Sequence, residues 1–90
     1  MGKMEGHVAL VTKSGNGIGR GTALFFASEG AFVVVADSDV KGGEETVRKI
    51  QEAGGEAVFI ETDVSRISEI EVLTKKITEE YGQLDAISYC

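Results

Sequence analysis

The chain has 90 residues, with 9 Lys and Arg against 15 Asp and Glu, and so carries a formal net charge of −6. That length fits one small domain, and the acidic balance argues against a nucleic-acid or anionic-membrane surface as partner. With 42% hydrophobic and 27% charged residues, 12 Gly and no Pro, the composition is globular and rich in tight turns, which excludes disorder and collagen-like structure.

In chain order, Met1 to Gly6 carries no long apolar segment, and Gly6 stands where a myristoylation signal needs Ser or Thr. The longest apolar runs, Val8 to Val11 and Ala31 to Ala36, fall far short of the ~20 residues that span a bilayer, so neither export nor anchoring is expected. Three runs rich in β-branched residues read as strands: His7 to Thr12, Ala31 to Ala36 and Ala57 to Glu61. A fourth, Ala86 to Cys90, is weaker. The first three are nearly continuous in apolar character, as in parallel strands covered on both faces.

Amphipathic stretches fill the gaps. The first follows a glycine-rich turn and places Ile18, Thr22, Phe25 and Phe26 at helical spacing, ending at Gly30. The second starts from a cap at Ser38 or Asp39, runs through Val40, Val47 and Ile50 to Gly54, and is weakened in its first turn by Gly42 and Gly43. The third starts from Ser65 or from Ser68, the latter with Glu71 as a capping box. It buries Ile70, Leu73, Ile77 and Tyr81 before Gly82. Strands begin near positions 7, 32, 57 and 86, the spacing of βα units. Right-handed crossovers then give an α/β fold, Rossmann-like and three-layered, with a parallel sheet of strand order 3-2-1-4. The order reverses between strands 1 and 4, and ligands of such sheets bind at the carboxyl ends there.

The turn Thr12-Lys13-Ser14-Gly15-Asn16-Gly17-Ile18-Gly19-Arg20 leaves a strand and enters a helix. Glycines in that setting let a phosphate approach backbone N–H groups at a positively polarised helix end. A literal G-x-G-x-x-G is absent. The spacing instead is similar to the T-G-x-x-x-G-x-G turn of the short-chain dehydrogenase/reductase (SDR) family, with Thr12, Gly17, Ile18, Gly19 and Arg20 in place and Lys13 where the first glycine belongs. Gly6 to Thr12 resembles the family's opening strand and Ala31 to Asp37 its second, and the likeness extends from residue 6 to about 85.

The resemblance implies a nicotinamide dinucleotide held by Thr12, Ser14, Gly15, Asn16, Gly17, Ile18 and Gly19. Asp37, 18 positions after Gly19, would accept from the adenosine ribose hydroxyls, and Asp63-Val64 would contact adenine. Each aspartate has a plainer reading: Asp37 as a solvated or helix-capping residue, and Asp63 as a cap for the helix that follows. A carboxylate at position 37 would repel the 2′-phosphate of NADP by about 4 kcal/mol per charge pair at ~4 Å and effective ε ~20, so NAD is the expected cofactor. Lys13 would offset part of that repulsion or simply face solvent. If its position demands positive φ, a lysine there costs roughly 1–2 kcal/mol unless Gly15 supplies the flexibility.

The family's fourth strand runs through Leu-Asp-x-x-x-Asn-Asn-Ala-Gly, whereas this chain reads Leu84-Asp85-Ala86-Ile87-Ser88-Tyr89-Cys90. Hydride transfer in the family relies on a serine and on a tyrosine tuned by a lysine four residues later. Of the two tyrosines here, Tyr81 has Asp85 at the lysine position and Tyr89 has no residue there. A tyrosine with its ordinary pKa near 10 is a poor acid–base group at neutral pH, so no catalytic residue is assigned. Cys90 is the single cysteine and His7 the single histidine, which leaves no intrachain disulfide and no metal cluster and fits a reducing cytoplasm.

Residues 1–90 are accordingly expected to form a partial NAD(P)-binding Rossmann domain lacking the C-terminal catalytic half of an oxidoreductase that oxidises alcohols or reduces carbonyls, shortened by splicing, a frame change or incomplete sequencing. The alternatives are a non-catalytic dinucleotide-binding or interaction module, or an inactive remnant. Two crossover helices should share one sheet face and leave the third alone on the other. The exposed apolar remainder would be covered by a second copy or a partner chain.

Overall fold

The computed structural model describes residues 2–89. Seven elements alternate along them: β1 Val8–Thr12, α1 Gly17–Ser28, β2 Phe32–Asp37, α2 Val40–Glu52, β3 Glu56–Glu61, α3 Ile67–Tyr81 and β4 Ala86–Ser88. The strands pair in parallel in the order β3-β2-β1-β4, the expected Rossmann-like arrangement. Successive side chains of the two central strands point to opposite faces. Ala9, Val11, Val33 and Val35 therefore pack with Ala23 of α1 and Ile50 of α2, while Val8, Leu10, Val34 and Ala36 pack with Leu73 and Ile77 of α3. Both faces of β1 and β2 are buried, which is why their sequences read as unbroken apolar runs. β3 lies at the sheet edge, and its Val58, Phe59 and Ile60 are only half-buried, contrary to the full cover expected for it.

α1 turns a different side to the sheet from the one expected. Gly19 and Ala23 are buried and Leu24, Phe26 and Ala27 pack beside them, whereas Ile18 is 84% and Phe25 59% exposed. The face is selected by smallness. A Cβ on Gly19 would lie 2.1 Å from the Lys13 carbonyl oxygen, so only a glycine lets the helix begin this close to the turn.

The same logic explains the two glycines opening α2. A Cβ at Gly42 would come within 2.5 Å of the Gly15 carbonyl oxygen, and one at Gly43 within 2.1 Å of the Phe59 ring. Asp39 caps this helix as expected, accepting from the Gly42 N–H at 3.0 Å.

α3 starts from neither serine. Its N-cap is Arg66, and Ser68 lies inside the first turn. The Asp63 carboxylate accepts from the Ser65 N–H (3.1 Å) and hydroxyl (2.6 Å), and Glu69 reaches back to the Asp63 N–H at 3.1 Å. This local turn, rather than a capping box at Ser68, feeds the chain into the helix. Ile70, Leu73 and Ile77 are buried as expected, and the half-buried Tyr81 ring lies 4.9 Å from that of Phe32. Burial, together with neighbouring Glu80, raises the Tyr81 phenol above its ordinary pKa, which moves it further from acid–base use.

β4 spans three residues instead of the expected five. Tyr89 is exposed beyond it, and Cys90 lies outside the described residues. Asp85 fastens the strand's start: its carboxylate accepts from the Val8 N–H at 2.7 Å and from Gln83 Nε2 at 2.5 Å, and its own N–H donates to the Val8 carbonyl at 2.8 Å. With α3 alone on its face of the sheet, an open groove of about 550 Å³ separates it from β4, lined by Val64, Ile67, Ile70, Glu71, Thr74, Ile87 and Tyr89.

Candidate functional site

The sheet register aligns the carboxyl ends of the strands. Thr12 of β1 sits beside Ala36 of β2, Asp37 beside Glu61 of β3, and Val11 beside Ser88 of β4. Thr12 is buried, and its hydroxyl donates to the Ser88 carbonyl at 3.3 Å, tying β4 to β1 where the strand order reverses.

From Thr12 the chain turns sharply. Lys13 adopts φ 52°, the left-handed region that disfavours a side chain, so the turn's strain sits at the position where the similar motif has glycine. Gly15 does not relieve it, and its own value is set by space: a Cβ there would lie 2.8 Å from Asp37 Oδ2. Ser14 is fully buried. Its hydroxyl donates to the Val11 carbonyl at 2.7 Å and accepts from the Ala36 N–H at 3.2 Å, so this side chain joins the ends of β1 and β2 instead of facing the mouth of the turn.

Gly17, at φ 58°, opens α1, and Asn16 occupies its N-cap without a side-chain hydrogen bond to the helix. No acidic residue stands in the first turn. The leading amides of α1 are thus left to an external acceptor, and the helix dipole makes an anion the favoured one. Ile18 contributes backbone here, its side chain pointing to solvent.

Across this mouth stands Asp37. Its Oδ2 accepts from the Gly15 N–H at 2.9 Å and its Oδ1 from the Asp39 N–H at 3.1 Å. A carboxylate offers about four acceptor positions, so roughly two stay open for hydroxyl donors from a ligand. Asp63 lies past the end of the neighbouring strand, where the Thr62 N–H donates to the Asp37 carbonyl at 3.1 Å. Hydrogen bonds from Ser65 hold the Asp63 carboxyl below the usual carboxylate range, so it is anionic at neutral pH. Val64 packs toward the α3 side of the sheet and borders the α3–β4 groove.

Two residues outside the expected set complete the arrangement. Arg20 of α1 donates to the Gly15 carbonyl at 2.6 Å, and Thr46 of α2 donates to the Ser14 carbonyl at 2.6 Å. Thr46 lies 32 residues from its acceptor, so no local pattern could reveal it. Among the described residues no group of three or more His, Cys, Asp or Glu could hold a metal ion, and no helix is long and apolar enough to cross a membrane.

The short chain dehydrogenase family model matches residues 7–90, nearly the whole chain. The chain belongs to the short-chain dehydrogenase family. It is 43% identical over 83 residues to the short chain dehydrogenase/reductase astE of Aspergillus oryzae, covering 91% of this chain and 32% of that protein. Over 85 residues it is 39% identical to a 3beta-hydroxysteroid dehydrogenase of Mediterraneibacter gnavus, covering 94% of this chain and 31% of that one. A short chain dehydrogenase/reductase from Burkholderia phymatum, solved in complex with NAD, superimposes with TM-score 0.84 at 33% identity over 97% of this chain and 31% of its own. A metagenomic short-chain oxidoreductase in complex with NADP gives TM-score 0.87 at 33% identity, over 93% of this chain and 38% of its own. The chain thus spans about a third of the length of these family members.

Proposed function

We propose that residues 1–90 are a partial Rossmann domain that binds the dinucleotide of a short-chain dehydrogenase/reductase and prefers NAD to NADP. One observation carries the reading: Asp37 spans the mouth of an uncapped helix, 2.9 Å from the Gly15 N–H, with acceptor positions left for a ribose. The amides of Asn16, Gly17, Ile18 and Gly19 would hold the diphosphate, Gly15, whose own N–H is given to Asp37, would leave room beside that carboxylate, Asp37 would hold the adenosine ribose, and Asp63-Val64 the adenine edge. Thr12 and Ser14 would serve by fixing the strand ends behind the turn. Bound NAD would supply the hydride acceptor or donor for an alcohol–carbonyl interconversion. The residues here bind and orient it, and the reaction itself calls for groups beyond them.

NADP is disfavoured because its 2′-phosphate would sit against the Asp37 carboxylate. Titration of the 90-residue protein with NADH and NADPH, followed by cofactor fluorescence, tests this. NADH is expected to bind at least about tenfold more tightly, and Asp37→Ser to narrow the gap. Equal binding of both, or of neither, would overturn the reading. The proposal extends to a reducing cytoplasm as the setting, from the single cysteine, and to a second copy or partner chain over the α3–β4 groove.

A further inference from the structure

We infer that Arg20 and Thr46 are positioning residues that aim the amides of the glycine turn without touching the ligand those amides would hold. The inference rests on the dinucleotide reading and deepens it.

A trans peptide is planar, with its C=O and N–H pointing in opposite directions, so fixing a carbonyl fixes where the next amide points. The Thr46 hydroxyl, fully buried, has one proton. Of its two acceptors, the Ser14 carbonyl at 2.6 Å is nearer than the Gly42 carbonyl at 3.1 Å. Holding the Ser14 carbonyl toward α2 drives the Gly15 N–H the other way, and that N–H meets Asp37 Oδ2 at 2.9 Å. The next peptide is held likewise. Arg20 Nη2 donates to the Gly15 carbonyl at 2.6 Å and to the Gly42 carbonyl at 3.2 Å, which turns the Asn16 N–H away from the guanidinium. Arg20 Nε donates to the Thr46 hydroxyl at 2.9 Å, so the two side chains form one unit. Gly42 is the complement of this lock, since any side chain there would collide with the Gly15 carbonyl. Two consecutive peptides are thus oriented from behind by α1 and α2.

The test compares Thr46→Val, which keeps the shape and removes the hydroxyl, with Thr46→Ser, which restores the hydroxyl, alongside Arg20→Met and the Arg20→Met/Thr46→Val double variant. NADH affinity is read by fluorescence. Backbone amide exchange is read on the cofactor-free protein, with its thermal midpoint alongside. Thr46→Val and Arg20→Met are expected to weaken NADH binding roughly tenfold each, and the double variant to lose little more because one unit is broken either way. Thr46→Ser should recover most of the affinity. Exchange at Gly15, whose N–H is held by Asp37, should accelerate while the amides of β1 and β2 stay protected. Unchanged affinity in Thr46→Val, or a Thr46→Ser as weak as Thr46→Val, would overturn the inference by marking packing as the whole role. If the unaltered protein binds no NADH, the dinucleotide reading falls, and exchange at Gly15 decides the lock on its own.

Discussion

Lys13 holds a left-handed backbone at the exit of β1, and its cost is open to measurement. Lys13→Gly should raise stability by about 1 kcal/mol, the αL penalty relieved less the entropy glycine adds to the unfolded chain, while Lys13→Ala keeps the Cβ and gains nothing. Urea denaturation at fixed pH decides between them. Asp85 gives a second residue-scale test. The Val8 N–H, then Gln83, hold its carboxyl below the usual range. A lowered folded pKa stabilises fully above the unfolded value near 4, and that contribution is lost as pH falls through the folded value. The urea midpoint of the unaltered protein should therefore drop below about pH 4. Asp85→Asn should start lower at pH 7, vary less with acid and converge on the parent once the pH has fallen through the lowered folded pKa. At this scale the sequence was legible where spacing carries the meaning: Asp37 does stand at the turn. It was silent where a partner comes from another element. The Ser14 hydroxyl is claimed by Ala36, and Arg20 and Thr46 meet only after α2 has folded back onto the turn.

Among the elements, α2 sets helix propensity against space. Alanine favours a helix over glycine by about 1 kcal/mol, yet a Cβ at position 43 would enter the Phe59 ring. Gly43→Ala is accordingly expected to lower the melting temperature, and Gly43→Ala/Phe59→Leu to regain part of the loss, since the smaller side chain vacates the clash. A Gly43→Ala that melts higher would show that the ring shifts freely. β1 and β2 were readable to within a residue or two because apolar cover on both sides leaves a continuous run. The buried side of α1 was not, because large side chains were weighed above small ones and contact with the sheet goes to Gly19 and Ala23. The start of α3 was misplaced for a related reason. Ser68 and Glu71 match a capping pattern, but Asp63, Ser65 and Glu69 form the turn that precedes the helix.

For the molecule as a whole, strand order and the division of helices between faces followed from chain rhythm, crossover handedness and the strand order of doubly wound dinucleotide folds. The α3–β4 groove is their geometric result. Ile87 is 41% exposed at its edge, so Ile87→Lys should reduce any self-association seen in sedimentation velocity and leave the far-ultraviolet circular dichroism unchanged. Association unaffected by this change would place the contact elsewhere on the surface.

β1 lies between two neighbours that reach it from very different distances along the chain. Val8 pairs with Phe32, 24 residues on, but Ala9 pairs with Ala86, 77 residues on. During translation at roughly 5–20 residues per second, the second edge of β1 stays open for some 3–10 s after β2 has emerged. A growing polypeptide therefore displays an unpaired apolar template for the whole of that interval, until Asp85 grips Val8 and the strand that follows it, β4, pairs with Ala9 to Val11.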